Sequence, residues 1–170
     1  MIKRISVAIF ILMMCIFNAF AEEGNSNAIS KMERIDIFVK EAPLFINSKS
    51  LSQLRHIGIL THESVEHIPN RYDPNKIDDF ITLQFDGLQI YAYVKSEDEI
   101  WPIHITVTTP QWQILNGLNV GVSDSRITQI LGHSTEENQQ VRQYTGIKES
   151  IVFHIKKARI SKIELLYYLD

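Results

Sequence analysis

The dipeptide Asp86-Gly87 lies between two alternating stretches and constrains this chain more than any other sequence feature. Apolar residues occupy every second position of residues 81–85 before it and of residues 88–94 after it. Asp-Gly provides the positive-φ positions of a tight hairpin turn, and a period of two is typical of strands with one buried face. The sequence therefore predicts an antiparallel hairpin whose second strand runs over residues 88–95.

A third strand extends this hairpin into a meander over residues 81–108. Its apolar residues lie at every second position from Trp101 to Val107, so the alternation assigns both of these residues to the buried face. Pro102 has no backbone N–H to donate and suits a strand start or an edge. We expect the meander to have one face in the core and one polar face.

Residues 115–132, LNGLNVGVSDSRITQILG, predict an extended segment followed by a short helix. Ser123 is the expected N-cap, Asp124 suits the positive end of the helix dipole, and Gly132 can stop the helix in a left-handed conformation. After a polar loop, further strands are predicted at residues 141–145, 150–157 and 160–169.

The segment before the hairpin is less regular. Alternation over residues 35–39 predicts a strand, and apolar residues at three-residue spacing over 51–57 predict a short helix. Ser48 or Ser50 can cap this helix, and Gly58 can end it in a left-handed conformation.

Residues 59–79 contain prolines and acidic residues without a clear apolar period, and they predict a long connecting loop. Within it, HESVEH at residues 62–67 brings histidines and carboxylates together. The spacing does not fit the HExxH pattern of zinc enzymes, because residue 66 is Glu. His62 and His67 therefore have two interpretations, as metal ligands on a loop or as solvated polar side chains.

The first 21 residues have the features of a secretory signal peptide. Lys3 and Arg4 are followed by an apolar run over residues 5–17 and by a small-x-small site that ends at Ala21. Cleavage after Ala21 is the favoured interpretation and an uncleaved anchor is the alternative. Export to the periplasm or the medium is therefore expected, and the polar residues 22–34 are predicted to form a disordered leader.

Cysteine content and charge limit the possible functions. Cys15, the single cysteine, lies in the predicted signal peptide, so the exported chain would be stabilised by burial without disulfides. The chain has 17 Lys and Arg against 20 Asp and Glu, and losing Lys3 and Arg4 would make it more acidic. Nucleic acid and anionic membrane surfaces are therefore not favoured partners, because both attract basic proteins.

The two halves of the chain repeat one order of elements. LSQLRHIG in the first half parallels ITQILG in the second, and FDGLQIYAYVK parallels YTGIKESIVFHIK. Chance similarity between two ordinary helix-hairpin segments is the alternative. The predicted fold is α+β with two tandem units, residues 35–110 and 111–170, each a short helix plus an antiparallel meander of three to four strands.

The second half also resembles a known type of envelope protein repeat. The resemblance is carried by GLNVGVSDSRITQILG at residues 117–132, followed by Tyr144, the strand with Phe153 and the strand with Ile163. It is to the helix-plus-sheet repeats of beta-lactamase inhibitor proteins and of outer-membrane assembly lipoproteins of the SmpA/OmlA type. The resemblance implies a tandem helix-plus-meander fold and a role in the bacterial envelope.

The side chains predicted opposite the core form the candidate binding face. They are rich in Tyr, His and basic residues, which are typical of interface hot spots, although sheets also carry Tyr for propensity alone. The candidate site residues are Tyr91, Tyr93, His104, Arg142, Tyr144, His154, Lys156 and Tyr168.

These features favour a non-enzymatic protein-binding module of the envelope, with an inhibitor or an immunity-type protein as its most concrete form. The sequence has no P-loop, dinucleotide GxGxxG or GxSxG motif, and no cofactor is predicted. A structural component of envelope assembly or maintenance is the alternative. A third, less favoured hypothesis is a hydrolase or metal enzyme that uses His62, His67 or His104.

Overall fold

The chain folds as an α+β protein in a computed structural model that describes residues 30–43, 46, 50–96 and 98–168. The predicted signal peptide and residues 22–29 lie outside the described residues. No helix in the described part has the length and apolar character needed to span a membrane. The helices are α1 (Lys31–Glu41), α2 (Leu51–Leu54) and α3 (Asp124–Leu131), with a 3₁₀ turn at Leu115–Gly117. The strands are β1 (Leu60–Pro69), β2 (Ile77–Phe85), β3 (Leu88–Ser96), β4 (Glu99–Val107), β5 (Glu136–Glu137), β6 (Val141–Thr145), β7 (Glu149–Lys156) and β8 (Arg159–Tyr167).

All eight strands join one antiparallel sheet in the order β1-β2-β3-β4-β8-β7-β6-β5. Two meanders, β1 to β4 and β5 to β8, meet where β4 pairs with β8. This junction aligns His104 with Leu166 at one end and Val107 with Ile163 at the other. The α+β class is therefore confirmed, and the strands form one continuous surface.

The core lies between the sheet and the helices. Phe38 and Val39 of α1, Leu54 of α2 and Ile127 of α3 are buried against one face of the sheet. That face contributes aliphatic and aromatic side chains from six strands, among them Ile81, Leu83, Ile90, Ile105, Tyr144, Ile151, Phe153, Ile163 and Leu165. Each fully buried aliphatic side chain stabilises the fold by about 1.5–3 kcal/mol.

The predicted hairpin at Asp86-Gly87 is confirmed. Phe85 pairs with Leu88 across the turn, and Gly87 has a φ of 71°, which favours glycine because it has no Cβ. Strand β2 begins at Ile77, earlier than the alternation indicated. The predicted helices after Ser50 and Ser123 are also present, and Gly132 ends α3 with a φ of 76°.

The prediction of a strand at residues 35–39 is wrong, because this segment belongs to α1. Ser30 caps the helix: its Oγ accepts the N–H of Glu33, and the Glu33 carboxylate accepts the N–H of Ser30. This reciprocal pair is a capping box. Residues 30–34, predicted to be disordered, therefore form the start of a helix that buries Phe38 and Val39.

The predicted long loop at residues 59–79 is also wrong, since residues 60–69 form strand β1 and residues 77–79 begin β2. Strand β1 is exposed on both faces at the sheet edge, so its sequence lacks the apolar period that marks a half-buried strand. Gly58 does not have the predicted left-handed conformation. It is needed for space, because a Cβ there would lie 2.9 Å from Cη2 of Trp112.

Helix α1 is fixed to the turn between β6 and β7 by Asp36. Its carboxylate accepts the backbone N–H groups of Ile147, Lys148 and Glu149 at 2.9–3.0 Å. Burial alone would raise the pKa of Asp36, but these backbone hydrogen bonds outweigh it and hold the pKa below its usual value. The turn needs glycine at 146, since a Cβ would lie 1.9 Å from Oδ1 of Asp36.

Glu149 lies beside Asp36 and has the opposite shift. Burial, followed by a side-chain hydrogen bond to Asp36 and repulsion from it, raises the pKa of Glu149 to about 7. The nearby ammonium groups of Lys40 and Lys148 reduce this shift without cancelling it. When the two carboxyl groups hold one proton between them, it is therefore bound most favourably to Glu149.

We predict that Glu149→Gln stabilises the protein at about pH 8 by about 1–2 kcal/mol. A pKa shift of one unit corresponds to roughly 1.4 kcal/mol, and the expected gain is smaller than the full shift because solvent screens a partly exposed carboxylate. The folded state binds more protons than the unfolded chain between about pH 4.5 and 7, so wild-type stability falls as the pH rises through this window. Glutamine keeps an N–H donor for Asp36 without a charge. Urea unfolding at about pH 5 and 8 measures the effect, with Glu136→Gln on exposed β5 as the control. Equal pH dependence in the variant and the wild type would contradict this account.

The turn between β7 and β8 is strained. Lys157 and Ala158 have φ values of 51° and 56°, in the left-handed region that costs residues with a Cβ about 1–2 kcal/mol each. Both side chains are exposed, so they can be changed without loss of core contacts.

We predict that the double substitution Lys157→Asn and Ala158→Gly raises the free energy of unfolding by about 1–2 kcal/mol, because Asn-Gly prefers this turn conformation. The midpoint of urea denaturation measures the gain. An unchanged or lower midpoint would show that the turn is not strained.

Candidate functional site

The sheet surface turned away from the helices is the candidate site. We call it the open face, and it includes Thr82, Tyr91 and His104, which are aligned across β2, β3 and β4. The next row runs from Thr106 on β4 to Glu164 on β8. The open face therefore crosses the junction between the two meanders.

A β-bulge in β4 places Trp101 on the open face, so its predicted burial is wrong. Tyr91 pairs with His104, whereas Ala92 pairs with Pro102, which leaves Ile103 as an extra residue. The extra residue reverses the alternation of side chains. Trp101 consequently lies opposite Tyr93 and is 42% exposed.

Four aromatic rings follow one another on this face, and we call them the aromatic row. Phe80 lies 5.8 Å from Tyr91 and 5.5 Å from Tyr93, and Tyr93 lies 5.8 Å from Trp101, measured between ring centroids. These spacings suit favourable ring contacts. The pKa of each tyrosine is raised, first by burial and then by Glu66 at Tyr91 and by Asp78 at Tyr93. The row is therefore partly desolvated and uncharged.

Polar contacts hold the outer end of the aromatic row. The indole Nε1 of Trp101 donates to Oε1 of Glu99 at 3.2 Å, and Nζ of Lys95 lies 5.2 Å from the Trp101 ring centroid. Lys95 also donates to Glu99 at 2.9 Å. Because these contacts restrict the Trp101 rotamer, the exposed ring is ordered before any partner binds.

A charged cluster lies beside the aromatic row, centred on Glu164. Its carboxylate accepts hydrogen bonds from His154 and from Lys162, the latter at 3.1 Å, and Nε2 of His104 lies 3.5 Å away. Burial would raise the pKa of Glu164, but the hydrogen bonds from His154 and Lys162 hold it below its usual range. The cluster therefore presents an anion surrounded by cationic or hydrogen-bonding groups.

Four of the predicted site residues, Tyr91, Tyr93, His104 and His154, come together on the open face. Lys156 lies two residues after His154 at the exposed end of β7, and Tyr168 is exposed just beyond β8. The structure thus brings together half of the eight candidate residues, and these four come from both halves of the chain.

Arg142 and Tyr144 do share a face, but it is the helix side of the sheet, so their predicted placement is wrong. Tyr144 is fully buried, its hydroxyl donates to the carbonyl of Gly132 at 2.8 Å, and burial raises its pKa to about 12. The guanidinium of Arg142 donates to Asp124 at 2.8 Å. Both residues fix α3 to the sheet and are not available on the open face.

Sequence reasoning missed Phe80, Trp101 and Glu164. Pro102 was a signal for the bulge, since proline inside a strand is confined to edges, strand starts and bulges. Glu164 could have been found from the alternation of β8, where it lies between the buried Ile163 and Leu165. Phe80 immediately precedes the alternating residues 81–85 and lies on the face that Thr82 and Gln84 share.

The HESVEH segment forms part of β1. His67 pairs with Asp79, with Nδ1 and Oδ1 2.6 Å apart. Because side chains alternate along a strand, His67 lies on the face of the sheet opposite to that of His62. Within the described residues, no group of three or more His, Cys, Asp or Glu side chains is placed to hold a metal ion.

The helix layer holds a second concave feature, a cavity of about 630 Å³ between α1 and the segment around α3. Its lining includes the apolar side chains of Phe38, Leu115 and Leu131 and the basic side chain of Arg34. Lys31 donates to the carbonyl of His133 at 2.8 Å and bridges the two walls. None of the predicted site residues lines this cavity.

Comparison of the chain with protein-family models, with curated proteins and with solved structures found no match.

We predict that Glu164→Gln destabilises the protein by about 1 kcal/mol, because charge-assisted hydrogen bonds of a partly exposed carboxylate are lost. The contribution of Glu164 is present above the unfolded carboxyl pKa and is lost as the pH falls through its lower folded pKa. The difference from wild type should therefore shrink in acid. Urea unfolding of Glu164→Gln and of the exposed control Glu136→Gln tests this, and a difference that grows in acid would contradict it.

Proposed function

We propose that this protein is an exported, non-enzymatic protein-binding module that uses the open face of its sheet. The observation that supports this best is the aromatic row, with Trp101 and the two tyrosines held in contact and still accessible. Trp and Tyr are enriched at binding hot spots because they offer a large contact area with few rotatable bonds. A partner would gain this contact without ordering the side chains first.

The charged cluster supports a protein as the partner. Lys162, His104 and His154 surround Glu164 next to the aromatic row, so apolar and charged contacts lie side by side. Protein interfaces have the same arrangement of an aromatic centre and a polar rim. The charges give specificity and the aromatic row gives most of the affinity.

The tandem arrangement of residues 35–110 and 111–170 is part of this proposal. The sheet order is consistent with it, because β1 to β4 and β5 to β8 are both meanders that meet at their last strands. Serine residues precede the helices of both halves. Helix α1 nevertheless packs on β6 and β7 of the other half, so the two units would depend on each other for stability.

The expected compartment narrows the role to the bacterial envelope. A signal peptide at residues 1–21 would deliver the protein to the periplasm or the medium. There, covering part of an envelope enzyme or a secreted toxin would make it an inhibitor or an immunity-type protein. Recovery of outer-membrane assembly components as partners would instead favour a structural role in the envelope.

We predict that Trp101→Ala and Tyr93→Ala each weaken binding to the partner at least tenfold, or about 1.4 kcal/mol. The partner is first recovered from periplasmic extract with wild-type protein and then titrated against each variant by calorimetry. Tyr72→Ala is the matched control, because Tyr72 is 83% exposed and lies outside the open face.

Melting temperatures of all variants show whether the fold is retained. Equal affinity of the wild type, Trp101→Ala and Tyr93→Ala for the recovered partner would contradict the assignment of the open face. Greater loss with Tyr72→Ala than with the other two would do the same.

A further inference from the structure

Strand β1 forms a long free edge of the sheet. It is ten residues long and, in the part of the chain that the structure describes, pairs with β2 alone, whereas the opposite edge is the two-residue strand β5. Val65 is 45% exposed and Ile68 is 40% exposed. A long edge strand offers backbone N–H and C=O groups that can pair with another strand.

The open-face side chains of β1 carry complementary groups placed symmetrically about one residue. His62 and Glu66 lie two positions before and after Ser64, and all three share the open face. Within the described residues, the side chains of His62 and Glu66 make no hydrogen bond or ion pair. The edge therefore presents one imidazole and one carboxylate that are both available.

We propose that two copies of this chain pair through β1 in an antiparallel, two-fold symmetric manner centred on Ser64. In this register, His62 of each copy lies directly opposite Glu66 of the other, so the same favourable pair forms twice. The bulge between Leu60 and His62 turns Leu60 to the helix side, where it packs against the core, so the paired segment is residues 62–66. Pro69, which has no N–H to donate, falls outside the ladder.

A shift of this register by one residue toward Pro69 is unfavourable. It centres the pairing between Ser64 and Val65 and opposes His62 to His67. It also opposes Glu63 to Glu66, and like groups directly opposite each other are destabilising. Because a shift by one residue exchanges the faces, it would also join the open face of one copy to the helix side of the other.

Centring the pairing on Val65 is also less favourable. It opposes Thr61 to Pro69 and brings Glu63 opposite His67. Both of these charged groups already have partners, since Arg55 donates to Glu63 at 2.8 Å and His67 is paired with Asp79. The register centred on Ser64 uses the groups that are not engaged.

The dimer has a geometric consequence for the open face. Even-numbered residues of one β1 strand lie opposite even-numbered residues of the other, so the open faces of both copies point the same way. The helices of both copies therefore lie on one side, and the two sheets become continuous through β1. The two open faces become one surface with an aromatic row on each side of the two-fold axis. This inference rests on β1 alone and does not depend on the proposed partner.

Charge exchange tests the register by sedimentation equilibrium of the purified protein. His62→Glu and Glu66→His each place like groups opposite each other and are expected to weaken the dimer about tenfold. The double variant with both changes restores opposite groups and returns the dissociation constant to within about threefold of wild type. His133→Glu, an exposed site away from β1, is the matched control and leaves it unchanged.

Cysteine cross-linking gives a second, independent measurement. Residues at the two-fold centre of an antiparallel pair have Cα atoms about 4.5–5.5 Å apart, within the range of a disulfide. Ser64→Cys, in a Cys15→Ser background, is expected to form a covalent dimer on mild oxidation, and the exposed Ser161→Cys is not. A wild type that stays monomeric up to about 1 mM, or a double variant no tighter than the single ones, would overturn the proposal. So would equal cross-linking at positions 64 and 161.

Discussion

The pairing of β4 with β8 is the interaction on which the rest of this structure depends. It extends only from His104–Leu166 to Val107–Ile163, and it turns two meanders into one sheet. Ile105 and Leu165 face each other there and are fully buried, so the junction combines backbone hydrogen bonds with apolar burial. Without it, Glu164 would not lie beside the residues of β4, and each meander would expose an additional edge.

The composition of the open face then depends on one extra residue in β4. The bulge at Ile103 turns Trp101 toward Tyr93 while Ile105 and Val107 stay in the core. A regular strand would place the indole on the helix side, and the aromatic row would end at Tyr93. The backbone irregularity therefore determines which surface carries the largest aromatic side chain.

Sequence periodicity predicted the elements that have one buried face, including the hairpin at Asp86-Gly87, helix α3 and the C-terminal strands. It failed for β1, because an edge strand with two exposed faces has no apolar period. It failed for α1 because Ile35, Ile37 and Val39 alternate, although the buried set also follows helical spacing. The placement of Tyr144 depended on its contact with Gly132, a tertiary interaction that periodicity does not contain.

We propose that the open face, which is continuous across β4 and β8, contacts the partner. Site-specific photo-crosslinking measures this directly, with the reactive group placed at Thr106 in the middle of the open face and at Asn116 beside the helix-side cavity. We expect a crosslinked partner from position 106 and none from position 116. Crosslinks from position 116 alone would contradict it and would assign binding to the helix side.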